Sequence, residues 1–438
     1  MTMSDSDVRA ALHRATDQLT TPPDLLPAVR RGGRRRLVRR RALLAVAMAA
    51  VVAVPVGGAL RLADRGEPIE VASPLLDEPT RGDLAGDQGY LRQVREAWRR
   101  HLSRGEAVAM RGEPHVVWAG NTPAGPAAYV AQRTRTEPGV SEPGGDRNFA
   151  AAAFVEPTAD GPKVLTVESV TTAGTDGNSQ AVLLGPERDV LVVVDFGDPV
   201  VFSPRLRYKA DGRIDRDFQP VPFRDGAAVL PVPPQRGKIT VALSRTPVSA
   251  LNMVHIANSS AILFPDSEGS GSPNPKQLTY TLPGAERAWG GDPAAAAEPT
   301  NQGENPLTPY VDVAGNHGAG DGPLLTVYGT TPDGRRLRME TIQYDDDPAR
   351  VVATLAPAES PFTAVASGFA DWNAPLPVRL RLPDRQGVLV AAEGATFSYR
   401  TGAGGWRAAG RDAALLPATA TEVRIIGARG TTTVPLTN

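Results

Sequence analysis

Cysteine is absent from the 438 residues, and lysine nearly so, with four against forty-three arginines. Without cysteine there are no disulfides, no thiolate-held zinc and no iron–sulfur cluster, so the folded part must be held by core packing alone. The five histidines, His13, His101, His115, His255 and His317, never stand at a metal-ligand spacing from one another, which leaves a histidine-based zinc site without support. Aromatic residues make up only 5% of the chain, too few for a stacking platform that binds sugars or nucleic acid. No G-x-S-x-G elbow, P-loop or S-x-x-K motif occurs, and no nucleophile–base pair can be named. The expectation is a protein without catalytic residues, cofactor or metal, more a binding protein than an enzyme.

What is present begins with arginine. Arg30, Arg31, Arg34, Arg35, Arg36, Arg39, Arg40 and Arg41 precede residues 42–60, nineteen in a row without a charge. As a helix this run would rise about 28 Å, close to a bilayer's hydrocarbon thickness. Arginines resist translocation, so the block predicts a single-pass cell-membrane protein with a cytoplasmic N-terminus and an extracytoplasmic bulk. The rival reading is a cleaved signal peptide with its apolar core at 42–54 and its end near Pro55, Gly57 and Gly58. The long preceding segment and the poor cleavage site Ala59-Leu60-Arg61 favour the anchor. Arg35-Arg36-Leu37 also fits a twin-arginine export signal, a pattern that arginine runs match by chance. Residues 1–41 carry ten arginines and four aspartates, a net of +6, which leaves −7 for the remainder. That balance argues against nucleic acid as a partner.

The tail, 1–41, contains apolar positions Val8, Leu12, Ala15 and Leu19 at helical spacing, stopped by Thr20-Thr21-Pro22-Pro23. A short amphipathic helix here suits a membrane surface, or a cytoplasmic protein partner that docks on the tail. Leu12-His13-Arg14-Ala15, Pro22-Pro23-Asp24-Leu25-Leu26 and the basic block before the apolar run together resemble the cytoplasmic segments of single-pass membrane proteins of high-GC Gram-positive bacteria. Some of those are encoded beside extracytoplasmic-function sigma factors. Many are uncharacterised; the resemblance covers about the first sixty residues and implies a single-pass membrane protein, with a transmembrane regulator of the anti-sigma kind as an alternative. The zinc-binding cluster of such regulators is missing, since His13 is the tail's one His or Cys.

Beyond the apolar run, 61–87 reads as a Pro/Gly/Asp-rich stalk. Residues 88–102 predict a helix, with Leu91, Val94, Ala97, Trp98 and Leu102 on one stripe. From Val116 short β-rich runs follow at 116–119, 127–134, 164–171, 190–196, 205–209, 227–232 and 238–243. Several return in the same order near the C-terminus. Val117-Trp118 before Thr122-Pro123-Ala124-Gly125 resembles Val327-Tyr328 before Thr331-Pro332-Asp333-Gly334. Val190-Leu191-Val192 resembles Val388-Leu389-Val390, and Arg207-Tyr208-Lys209 resembles Ser398-Tyr399-Arg400. Ala227-Ala228-Val229-Leu230-Pro231 resembles Ala413-Ala414-Leu415-Leu416-Pro417, and 239–243 resembles 423–427. The spacing shrinks steadily, as a duplicated module with shorter loops in its second copy would give. The predicted architecture is mainly β: a helix plus a first β domain at 88–248, a linker region at 249–306 and a second β domain at 307–438. Two related antiparallel sandwich-like domains are preferred, with one pseudo-symmetric propeller as the alternative. Within the linker region, 276–282 predicts a short strand and 290–305 irregular chain.

Three polar stretches deserve weighing as sites. Asp345-Asp346-Asp347 could grip Ca²⁺ but defines no further ligand position, so a solvated loop is the expectation. Asp211, Asp215 and Asp217 alternate with Arg213 and Arg216, which predicts ion pairs across a hairpin. The glycine-rich 315–322 has no helix after it to receive phosphate and reads as a flexible loop. Asn258-Ser259-Ser260 fits a glycosylation sequon and is given no weight. Three functions follow: a membrane-anchored binding, sensing or scaffolding protein for an unidentified extracytoplasmic ligand, an anti-sigma-like regulator, or a tethered hydrolase with Asp195, Asp198 and 345–347 as its suspects. Two carboxylates facing across a deep pocket would favour the hydrolase, and shallow polar surfaces the binding protein.

Overall fold

The computed structural model describes residues 74–104, 110–134, 149–171, 180–265, 275–296, 305–318, 320, 322–357, 360–428 and 430–436. The tail, the proposed span and residues 61–73 lie outside the described residues. Among the described ones no helix is long and apolar enough to cross a membrane. The chain divides after Arg65, and everything below concerns the unit that follows. That unit is mainly β, as its strand-rich runs predict.

The helix predicted at 88–102 forms over Gln88–Arg104. Asp87 begins it by accepting the Tyr90 N–H at 3.0 Å, which satisfies one of the free amides of the first turn. Leu91, Val94, Ala97 and Trp98 are buried on one stripe against Val116, Val130, Ala151 and Val155. Inside that contact the Trp98 indole N–H donates to the Gln132 side chain at 2.7 Å. Part of the expected stalk also packs down rather than running free. Leu75, in the short helix Pro74–Asp77, enters the core, and Arg81 bridges to Trp118.

The first half, through residue 265, is built from β1 (Met110–Thr122), β2 (Gly125–Thr134), β3 (Phe149–Thr158), β4 (Gly161–Val164) and β5 (Glu168–Thr171), then β6 (Ala181–Leu184), β7 (Val190–Val194) and β8 (Val200–Ser203). It continues with β9 (Arg207–Tyr208), β10 (Ile214–Asp215), β11 (Gln219–Pro220), β12 (Ala227–Pro231) and β13 (Ala242–Arg245). β1, β2 and β3 pair in order, and β4 and β5 share the free edge of β3. β7 lies between β6 and β12, β8 lies between β11 and β13, and β9 with β10 makes a separate ribbon. Trp118, Tyr129 and Phe154 of the first sheet meet Val182, Val192 and Ala227 of the second in one core. Leu191 and Val193, on the far side of β7, join Ile239, Leu243 and Ile256 in another.

The second half, from residue 275, holds β14 (Gln277–Thr281), β15 (Leu324–Thr330), β16 (Arg336–Ile342), β17 (Ala349–Ala356) and β18 (Thr363–Ala370) in sequential order, with β14 parallel to β15. It ends with β19 (Val378–Leu382), β20 (Gly387–Arg400), β21 (Arg407–Leu416), β22 (Glu422–Gly427) and β23 (Gly430–Pro435). β20 combines the roles of β7 and β8. Residues 388–391 pair with β19 and β21, and residues 396–400 pair with β21 and β22. The order of strand pairing resembles that of the first half.

Facing residues fix the correspondence and correct the sequence alignment in two places. Val194 pairs with Ala227 and Ala391 with Ala413, all four pointing into the core between the two sheets of their half. Ala227 therefore matches Ala413, as aligned, but Val194 matches Ala391. The pairing of Val190–Val192 with Val388–Val390 is one residue out of register: Val190 and Val192 face the shared core, whereas Val388 and Val390 face away from theirs. A one-residue slip always turns a strand over. A better marker is Pro186-Glu187-Arg188 against Pro383-Asp384-Arg385. Both turns precede the matched strands, and both arginines hold a left-handed backbone, φ 54° and 59°. The third matched pair fails, because Arg207-Tyr208 lies in the separate ribbon while 398–400 continues β20.

Other differences have local causes. β3, with the buried run Ala150-Ala151-Ala152-Ala153-Phe154-Val155, is a strand that alanine's helix preference conceals. The strand expected at 164–171 is interrupted between β4 and β5, and that expected at 238–243 forms later, over Ala242–Arg245. The expected linker region is shared between the halves. Val254, Ile256 and Ile262 complete a core of the first, while β14, Leu282 and Trp289 belong to the second.

Truncating Trp98 to alanine removes the largest fully buried side chain among the described residues and strands the Gln132 amide oxygen, so Trp98→Ala should cost about 3–5 kcal/mol. A denaturant titration reads this as a lower midpoint.

Candidate functional site: a buried polar seam between the halves

The ribbon β9–β10 reaches from the first half onto the second. Its turn at Gly212 has φ 80°, and a Cβ there would stand 3.2 Å from both Arg350 Cγ and the Gly368 carbonyl. Only glycine suits that approach. Arg350 itself is fully buried in β17, where every residue is buried. Its guanidinium carbon lies 4.7 Å from the Tyr208 ring centroid and 4.5 Å from that of Tyr344, so one ring comes from each half. It donates to the Tyr310 carbonyl through Nη1, while Nε and Nη2 have no hydrogen-bond partner. The electron-rich ring faces offset part of the cost of burying this cation.

Around Arg350 the two halves exchange charges. Arg216 Nε donates to Asp312 Oδ1 at 2.8 Å and Nη2 to Oδ2, a two-pronged pair with side chains only 3% and 2% exposed. Arg216 Nη1 also holds the Thr240 carbonyl at 2.7 Å. The Tyr208 hydroxyl donates to Asp347 Oδ2 at 2.8 Å, and Lys238 bridges Asp346 and Asp347. His317 stacks on Tyr344 with ring centroids 3.6 Å apart, and the Tyr344 hydroxyl oxygen accepts the Asp312 N–H at 2.8 Å.

The structure therefore brings together three stretches that lie far apart in sequence: the hairpin ion pairs expected around Asp211 form in part, and the other two stretches do different work from that expected. The triple aspartate is neither a cation site nor a free loop. Asp346 is exposed, but Asp347 is largely buried and its counter-cation is Lys238 of the other half. The arginines near Asp211 divide: Arg207–Asp215 and Arg213–Asp211 pair locally at 3.1 and 3.3 Å, while Arg216 turns inward to Asp312. In the glycine-rich stretch, a Cβ on Gly315 would stand 1.9 Å from the Asp312 carboxylate, and one on Gly322 2.2 Å from the Trp372 indole nitrogen. These glycines permit close packing. Arg350, Tyr208, Tyr310 and Lys238 were not identifiable as partners from sequence, though an arginine within the run Ala-Arg-Val-Val-Ala-Thr-Leu-Ala is a signal that a buried strand must accommodate a charge.

The remaining candidates stay apart. Asp195 accepts the Gly197 N–H at 2.8 Å, and Asp198 pairs with Arg245 at 3.1 Å. Cavities among the described residues lie elsewhere. One of about 340 Å³ is lined by Glu156, Lys163, Arg188 and Arg236 among others, and one of about 400 Å³ by Asp83, Trp118, Arg224 and Asp225 among others. None of Asp195, Asp198 and residues 345–347 lines either cavity. Asn258 is buried with its amide spent on both backbone groups of Leu183. Among the described residues no group of three or more His, Asp or Glu is placed to hold a metal ion. His101 is exposed on its helix; burial holds His115 below the usual histidine range.

Two seam groups have displaced proton affinities. Burial pushes the Asp345 carboxyl up to about 6, against the pull of the Gly318 N–H it accepts. Burial lowers His317, which favours its neutral form. The sequence matches no family model and no curated protein.

Two outcomes test this geometry. Asp312→Ala leaves Arg216 buried without its counter-charge and should destabilise the unit by about 3–5 kcal/mol, read by denaturant unfolding. The effect of Asp345 has the opposite sign. Its raised affinity means that the ionised form is disfavoured by folding, a penalty absent below about pH 3.8 and complete above about pH 6. Asparagine tolerates the same left-handed backbone, φ 44°, without that charge. Asp345→Asn should raise stability by about 1 kcal/mol near pH 7.5, after allowance for solvent screening, with the gain fading toward about pH 4. Melting curves of both proteins across that range check it, and the His317 contribution cancels in the difference.

Proposed function

We propose that this chain is a single-pass membrane protein presenting two related β-sandwich-like modules outside the cell membrane, where they bind or sense rather than catalyse. The arginine collar at 30–41 and the uncharged run 42–60 support the tether. The similar order of strand pairing, the matching core-facing positions and the paired left-handed arginines support an internal duplication. Two sheets sharing a core within each half favour sandwiches over a propeller.

The observation that carries the binding reading is the fate of the carboxylates. Each suspect for acid–base chemistry is engaged by its own neighbour: Asp195 by the Gly197 amide, Asp198 by Arg245, Asp345 by the Gly318 amide, Asp346 and Asp347 by Lys238. A hydrolase sets two carboxylates on either side of one scissile bond, and none of these lines either cavity. The seam instead suits a rigid coupling between modules, so a ligand on one module is felt by the other. The tail then offers a cytoplasmic docking site.

Protease added to intact cells should digest the modules while sparing an epitope placed within the first forty-one residues, and alkaline carbonate should leave the chain with the membranes. A chain recovered from the medium with a new N-terminus near residue 60 would overturn the tether. A substrate turned over by the purified chain, with loss of turnover on Asp198→Asn or Asp347→Asn, would overturn the binding reading.

A further inference from the structure

The last sheet carries a charge opposite to that of the chain around it. Residues 376–438 hold eight arginines against four acidic residues, a net of +4, which leaves −11 on residues 42–375. Strand register shows where part of this charge is displayed. Arg411, Thr396 and Ile426 form one row across β21, β20 and β22. Ala408, Ser398, Arg424 and Thr433 form the next, and Arg400, Glu422 and Pro435 a third. Phe397, Val423 and Ile425, which alternate with these positions, point into the core. The three rows therefore occupy the outer face of the sheet.

Trp406 stands beside this face at the end of a glycine-rich hairpin. Its ring has the Arg424 guanidinium carbon 4.0 Å from its centroid and that of Arg400 at 5.0 Å. Glu422 is the single acid in the rows and is bonded to Arg400. Arg411 is 75% exposed and only 3.7 Å from the Asp412 carboxylate at its closest. Ile426, 47% exposed, is one of four large apolar side chains left open among the described residues.

We propose that this face docks on an anionic phospholipid surface. The cations supply attraction to lipid phosphates, and Trp406 and Ile426 supply apolar groups that enter the headgroup boundary. A hydrated polyanion would leave those two apolar side chains wet. The proposal deepens the membrane-tethered reading, on which it rests for a bilayer within reach, and its test separates the two.

The full chain is held in a neutral phosphatidylcholine nanodisc and titrated with vesicles of phosphatidylcholine alone or mixed with phosphatidylglycerol. If the tether reading fails, the chain needs no disc and the same titration is run on it in solution. Binding is expected to the phosphatidylglycerol vesicles only, weakened by salt, with a blue shift in tryptophan emission that Trp406→Phe abolishes. Arg411→Gln with Arg424→Gln should weaken it about 30-fold at an unchanged melting temperature, while Arg287→Gln, off this face, leaves it intact. Equal binding to neutral vesicles, an undiminished affinity in the double variant, or binding of polyphosphate without any vesicle binding would each overturn the proposal.

Discussion

Burying charge in a medium of low polarizability is the constraint on which this structure turns. Arg216 and Asp312 lie almost wholly out of water, and each is supplied by a different half of the unit. Tyr208 and Lys238 reach Asp347 across the same boundary, and Arg350 is clasped between an aromatic ring from either side. Each of these groups takes part of its partnership from the other half. Separation would return the ions to water, but any partly slipped arrangement would leave them buried and unpaired, which is worse than either extreme. The seam thus selects one mutual arrangement of the halves, and that selectivity matters more than any net stabilisation it adds.

The joint is built from the places where the halves differ. β20 and β21 run long and continuous in the second half. In the first half the same path is broken into β7 and β8, with the ribbon β9–β10 projecting between β8 and β11. That ribbon carries Tyr208 and Gly212 to Arg350. The second half contributes its own departure, the segment through Asp312 and His317 that precedes β15 and whose Asn316 side chain accepts the Ile256 N–H. Strands make the cores, and the contact between the halves comes mainly from the segments that connect them, with Arg350 of β17 at its centre.

The same division explains which features were legible. The stripe Leu91, Val94, Ala97 and Trp98 announces its helix because periodicity is a local property, and the structure buries those residues. Val190–Val194 reads as a strand for the same reason. β3 does not, since its alanines favour a helix in isolation and become strand only between β2 and the edge formed by β4 and β5. Similar sequence runs suggested a likeness between the halves but set Val190–Val192 one residue out of register with Val388–Val390, because sequence likeness cannot tell which side of a strand is dry. The triple aspartate was visible as composition, yet its counter-charge, Lys238, lies more than a hundred residues away in the chain. Arg216, which stands between Asp215 and Asp217, finds its partner Asp312 ninety-six residues on.

From sequence alone came the mainly β character, the helix, the internal likeness of the two halves and the opposite charges of tail and remainder. Each depends on neighbours along the chain, where hydrophobic period and turn residues act directly. Tertiary structure alone decided that Gly212 lies on Arg350, that Asp312 receives Arg216 and that Asp345 holds its proton more tightly than a free carboxyl. Such outcomes depend on distance and burial in space, quantities set only when two distant segments have closed over the same dry volume.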